Sequence, residues 1–214
     1  GAAVPLSDVP SRSVLSRITD HYMQIIANQA PIAQWNLARL AETLLLLCDA
    51  RTDFEAILSE FPACYDSCYL DIMRPKLGLL GKNDGDAELI GDWLKYLQDN
   101  ALDYTLSFRE LATRIDASDA ARFGEFEQRW RRRVGSQATE SAETLAVMNS
   151  VNPIFIPRNH RIEQAIQEAV AGDLTVFRDL NVVLAQPFLE QPQYAHYAAA
   201  PEPNERVTQT FCGT

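Results

Sequence analysis

Cysteine and histidine are scarce in this chain, and it has neither a long apolar run nor an excess of basic residues. Four cysteines in 214 residues (Cys48, Cys64, Cys68, Cys212) are too few to build a disulfide scaffold. Cys64 and Cys68 stand one helical turn apart. None of the three histidines (His21, His160, His196) lies near them in sequence, and two thiolates do not complete a tetrahedral zinc site. Buried thiols on helix faces are therefore expected for Cys48, Cys64 and Cys68. The longest uninterrupted apolar run, Leu44–Cys48, falls far short of the roughly 20 residues of a membrane span. The Gly1-Ala2-Ala3 start lacks the basic-then-apolar layout of a secretory signal. No membrane association and a cytoplasmic location are expected. Acidic residues outnumber basic ones, 29 to 19, for a net charge of −10. That balance opposes general nucleic-acid binding, which needs a basic surface. No Gly-x-Gly-x-x-Gly or Walker pattern occurs, so a phosphate-cradling loop cannot be assigned. Strand-like alternation is also missing.

What the sequence does contain is helical periodicity. Residues 1–10 are small, polar and proline-punctuated, and read as a loose arm. Ser11 or Ser13 can cap a helix bearing Val14, Leu15, Ile18, Tyr22, Ile25 and Ile26. A second helix is predicted over Asn28–Leu47, with Pro31 in its first turn and Ile32, Trp35, Leu40, Leu44 and Leu47 facing inward. Thr52-Asp53-Phe54-Glu55 reads as a capping box opening a helix that Pro62 restarts or kinks and that continues over Ala63–Lys76. Gly78 suits a left-handed C-terminal cap, and Lys82–Asp86 a polar turn. Further helices are predicted over Ala87–Gln98, Asp103–Ala112, Ala120–Val134 and Thr139–Asn149. Met148–Ile166 reads as an extended Asn-Pro stretch that runs straight into a helix, because Pro153 and Pro157 disfavour an α conformation before them. Asn159 can then cap a helix that Gly172 ends, and Asp173 can cap the next. Nine or ten helices with short loops make an all-α helical bundle. Trp35, Trp93, Phe108, Phe123, Phe126 and Trp130 are expected in its core.

Few residues suggest chemistry of their own. Arg129–Arg133, with Trp130, could grip a phosphate or an acidic partner; the plainer reading is a solvated helix face held by acids such as Glu125 and Glu127. Arg158-Asn159 can position a loop, or Asn159 can simply cap. His160 and His196 read as surface or packing residues. Asp99, Asp103, Glu110, Asp116 and Asp119 are scattered acids rather than a paired catalytic dyad. No catalytic residue is assigned.

The strongest signal is a set of short motifs: Met148, Val151-Asn152-Pro153, Arg158-Asn159, Gly172-Asp173 and Gln191-Pro192-Gln193-Tyr194. With them go Trp35-Asn36-Leu37, Met73-Arg74-Pro75-Lys76-Leu77-Gly78, Asp103-Tyr104-Thr105 and Phe108-Arg109. Together they resemble the C-terminal region of the selenoprotein O (SelO, or YdiU-type) family, kinase-like proteins that transfer AMP to other proteins. The resemblance covers Asn28 to Thr214. It departs from the family's Asp-His-Gln-Gly-Arg-Tyr lead-in, which reads Asp20-His21-Tyr22-Met23 here. It divides the chain into a divergent N-terminal segment, 1–27, a helical domain, 28–186, and a Pro-rich tail, 187–214.

The resemblance implies the lower lobe and C-terminal extension of a kinase-like fold, without the nucleotide-binding half. In a complete family member, AMP would pass from ATP, with Mg or Mn, to Ser, Thr or Tyr hydroxyls of proteins. The recognisable phosphate and metal ligands would belong to the missing half, so this chain alone is expected to be inactive and to hold no cofactor. Its partners would be that half or protein substrates. SelO-like proteins place selenocysteine or cysteine near the C-terminus, where it forms a redox-sensitive disulfide with a cysteine of the kinase-like half. Cys212 occupies that place, and the alternative is a spare exposed cysteine on a tail. Absence of selenocysteine suggests a bacterial form. A rival from another class is a stand-alone helical protein-binding or oligomerisation module.

Overall fold

A computed structural model describes residues 22–48 and 50–205. His21, Cys212, the N-terminal arm and most of the first predicted helix lie outside these residues. The described chain is all-α, with no strand. Its elements are α1 (Tyr22–Leu44), α2 (Arg51–Lys76), α3 (Asp86–Asp99), α4 (Tyr104–Ala112), α5 (Gly124–Gly135), α6 (Ser141–Val151), α7 (Asn159–Val170) and α8 (Thr175–Ala185). A 3₁₀ helix, Pro192–Tyr197, follows. The described residues fall into two compact units that divide within α2, the first before Tyr69 and the second from Tyr69 onward.

In the first unit α1 starts earlier than the predicted Asn28, at Tyr22. Pro31 lies inside α1 rather than in a first turn. α2 begins at Arg51, so Thr52 is already helical and no capping box forms, and it continues through Pro62. Gln34 Nε2 donates to the Leu58 carbonyl at 3.0 Å, tying α1 to α2. Most of the stripe expected to face inward does not: Ile32 is 58% exposed and Leu47 84%, Trp35 and Leu40 are exposed as well, and Leu44 is half-buried. Cys48, Cys64 and Cys68 are also exposed, which overturns their reading as buried thiols. A pair of helices can bury one stripe from each member, and apolar positions beyond that stripe stay in water.

The second unit packs around Trp93, which is wholly buried. Its ring centroid lies 4.8 Å from that of Phe126, 5.0 Å from Phe123 and 5.7 Å from Phe108, the last two edge-on. Edge-on contacts set the electropositive ring edge against the electronegative face. Leu77, Leu79, Ile90, Leu111, Trp130 and Met148 complete this core, with α3 packed on α5 and α4 on α6. Of the six aromatics expected inside, Trp35 alone is exposed. α6 runs two residues past the predicted end at Asn149, to Val151, and Met148 is a buried helical residue.

A smaller cluster joins Phe155, Ala165, Val176, Leu180, Val183 and Tyr197, with α7 packed on α8. Tyr197 reaches it because the Pro-rich segment is not wholly extended: Pro192 starts the 3₁₀ helix, where its missing N–H costs nothing. The Tyr197 hydroxyl donates to Asp179 at 3.1 Å.

Two glycines end helices as the sequence predicts. At Gly78 (φ +67°) the Leu79 amide donates to the Arg74 carbonyl and the Gly78 amide to that of Pro75, a Schellman closure. At Gly172 (φ +93°) the Asp173 amide reaches Glu168 and the Gly172 amide Ala169 in the same pattern. Asp173 Oδ1 then accepts the Thr175 amide at 2.8 Å.

Candidate functional site: motif residues that interlock

Residues far apart in sequence that carry the short motifs meet one another in the second unit. Asn152, buried after the last turn of α6, donates from Nδ2 to the Lys76 carbonyl at 2.8 Å. This joins the Val151-Asn152-Pro153 motif to the Met73–Gly78 motif across 76 positions. Gly78 faces α6 so closely that a β-carbon there would lie 2.7 Å from Thr144 Cγ2 and 2.9 Å from Met148 Sδ. Arg109 on α4 donates to the carbonyls of Asn149 and Asn152 at 3.3 and 3.4 Å, capping the C-terminal end of α6, where a cation is favoured.

Asp103 and Arg158 form the second lock. Asp103 caps α4 by accepting the Leu106 amide at 2.8 Å, and accepts Arg158 Nη1 at 2.7 Å and Nη2 at 3.3 Å. Burial pushes the Asp103 carboxyl upward, but the Arg158 and backbone hydrogen bonds outweigh it and hold the group below the usual carboxylate range. Arg158 is buried and precedes α7 at its N-cap position, without a side-chain capping bond. Asn159 is the first helical residue, not the cap.

Two further carboxylates, wholly buried, organise the arginines. Asp86 accepts Arg74 Nε and Arg133 Nε, each at 2.8 Å, and the Asn83 amide at 3.0 Å. Glu127 accepts Arg114 Nε at 3.0 Å, the Phe123 amide at 2.9 Å and Arg131 Nη2. In both, burial raises the carboxyl pKa and these hydrogen bonds more than reverse it. The Arg129–Arg133 run is thus not merely a solvated face. Arg129 pairs with Asp92 and Glu88, Arg131 with Glu127, and Arg133 with Asp86. These guanidinium groups are occupied within the fold, which leaves little for a phosphate.

Sequence reading singled out neither Asp86 nor Glu127 as an organising group, yet a signal was present. Asp86, Ile90, Trp93 and Leu97 recur at the spacing of one helix face, as do Phe123, Glu127, Trp130 and Val134. An acid on an apolar stripe must find cations inside. The other candidates are dispersed: Glu110 pairs with Arg122, Asp119 with Arg114 and Asp99 with Lys95, and Asp116 accepts the Ser141 hydroxyl. His160 is buried and His196 exposed against Tyr197.

No three His, Cys, Asp or Glu side chains among the described residues are placed to hold a metal ion. The two wholly buried carboxylates are already taken by arginine. What the arrangement of these described residues visibly does is fix the positions of the helices that carry them. Among the described residues no helix is long and apolar enough to cross a membrane.

Comparison with known proteins agrees with the motifs. The family described as Protein adenylyltransferase SelO matches residues 16–185. A protein nucleotidyltransferase YdiU of Rhizobium etli is 44% identical over 94% of this chain, and one of Bradyrhizobium diazoefficiens is 42% identical over 94%. One of Rhizobium meliloti is 40% identical over the whole chain. The chain spans 44% of the length of the first two relatives and 47% of the third. With a family match over most of its residues, and interlocking contacts made by the motif residues themselves, the chain belongs to the SelO family of protein adenylyltransferases.

Proposed function

We propose that this chain is the C-terminal helical portion of a SelO-type protein adenylyltransferase, acting in the cytoplasm as the rigid support of a catalytic cleft built elsewhere in the enzyme. In the complete protein, AMP would move from ATP to Ser, Thr or Tyr hydroxyls of target proteins with Mg or Mn bound outside these residues. The support is to resemble the lower lobe and C-terminal extension of a kinase-like fold. Cys212 would gate the enzyme through a disulfide to a cysteine of the kinase-like half. The observation that carries this reading is the interlock of Asn152 with Lys76 and of Arg158 with Asp103. Family motifs here are spent on holding helices together, as a supporting half requires. The test is incorporation of labelled AMP into a mixed protein acceptor. The isolated chain should give none. Fused to the portion of the Rhizobium etli relative that it does not cover, it should restore transfer, and Cys212→Ser should remove the effect of oxidants. Transfer by the isolated chain, or a dead fusion beside an active intact relative, would refute the reading.

A second reading, a stand-alone protein-binding or oligomerisation module, is favoured by an apolar groove of about 400 Å³ in the first unit, lined by Leu37, Leu40, Leu44, Ile57, Phe61 and Cys64. Light scattering separates the two: a stable oligomer that Leu40→Glu dissolves would support the module.

A further inference from the structure

The helices of the first unit enclose no core of their own. From Gln29 to Cys68 no described side chain is buried, although apolar residues make up most of α1. Leu37, Leu40 and Leu44 of α1 face Ile57, Phe61 and Cys64 of α2 across the open groove of about 400 Å³. Ile32 and Trp35 are exposed without lining it, so α1 presents apolar surface on more than one side. A helix of that kind is normally enclosed, and a contiguous exposed apolar patch marks a surface that another body covers.

The charges beside the groove are one-sided. Arg39 pairs with Glu42 and Arg51 with Glu55. Asp53 and Glu60 are exposed, lie two helical turns apart on one side of α2, and have no cation within ion-pair distance among the described residues. Glu60 itself lines the groove. A second copy of this chain seated there would bring the same acids and no unpaired arginine from this face, so like charge would accumulate. The balance favours a partner whose apolar contact is edged by lysine or arginine. The chain spans 44% of the length of the Rhizobium etli relative, so more than half of that protein lies outside the match.

We propose that the α1–α2 groove seats the portion of the enzyme that this chain does not cover, through an apolar surface edged by basic side chains. This rests on the reading of the chain as one portion of a longer adenylyltransferase, and adds the face at which the two portions meet. Removal of the leucine, isoleucine and phenylalanine side chains from water drives the contact, and basic groups opposite Asp53 and Glu60 set its orientation.

Cys64 reports on this contact, because it lines the groove and is exposed, and alkylation of a thiol follows its access. Iodoacetamide labelling of Cys64 would be followed by peptide mass spectrometry in the isolated chain and in its fusion to the uncovered portion of the Rhizobium etli relative. Fusion should slow labelling about tenfold or more, and Leu40→Glu in the fusion should undo that protection. An unchanged rate in a fusion whose appended portion resists amide exchange would overturn the proposal, as would protection that survives Leu40→Glu. If the fusion does not fold, the intact Rhizobium etli relative, with cysteine at the position aligned with Cys64, decides the matter by the same two rates. A dimer of the isolated chain in light scattering, with Cys64 protected within it, would assign the groove to a second copy and also overturn the proposal. The readout is independent of activity: protection without AMP transfer keeps this contact and sinks the proposed reaction, whereas transfer with Cys64 unprotected does the reverse.

Discussion

Replacing Asp86 by Asn removes one negative charge from a site built to hold it, with almost no change of shape. Asp86 is wholly buried and accepts Arg74, Arg133 and the Asn83 amide. The amide can still accept from one arginine, but its NH2 group must face the other, setting donor against donor. Each charge-assisted hydrogen bond lost is worth about 1.5–3 kcal/mol. Breaking a buried ion pair from one side typically costs about 3–5 kcal/mol, because the remaining charge is left uncompensated. The arginine side chains keep 13% and 15% of their surface in water, which lets them recruit some hydration. The expected loss is therefore near the lower end, about 3 kcal/mol. Its pH dependence follows from the depressed carboxyl pKa of the folded state. Such a group contributes fully above the unfolded value of about 3.9, and its contribution is lost as pH falls through the lower folded value. Urea unfolding of both proteins should show the full difference at neutral pH and a shrinking one below about pH 4. A neutral-pH loss under about 1 kcal/mol, or a difference unchanged by acidification, would refute the view that Asp86 is a charged structural centre.

Trp93→Ala should cost about 3–5 kcal/mol, because the ring is wholly buried among Phe108, Phe123 and Phe126; an unchanged urea midpoint would contradict that packing. Gly78→Ala should destabilise by about 2–4 kcal/mol, combining left-handed strain with overpacking against Thr144 and Met148. A thermal midpoint equal to the parent's would show that α6 yields freely. Cys64 is exposed, so iodoacetamide should modify it in the native chain at nearly its rate in urea; strong protection would restore the buried-thiol reading.

The sequence by itself determined the local structure. Periodicity located the helices, and Gly78 and Gly172 marked two ends because only glycine takes the left-handed turn cheaply. The motifs pointed to the family, whereas Asp103, read only as a scattered acid, was shown as a cap by the structure. A boundary moved where the chain could tolerate a local fault, as at Pro31, since a long helix survives one missing hydrogen bond. The tertiary structure decided which stripes became core and which arginine met which carboxylate. Trp35 and Trp93 both sit on amphipathic faces, yet only Trp93 has other helices closing around it. Arg133 reaches Asp86 across 47 positions and Arg158 reaches Asp103 across 55. Helical spacing fixes only neighbours three or four residues apart. Pairings at longer range exist only once packed helices bring the two charges out of water together.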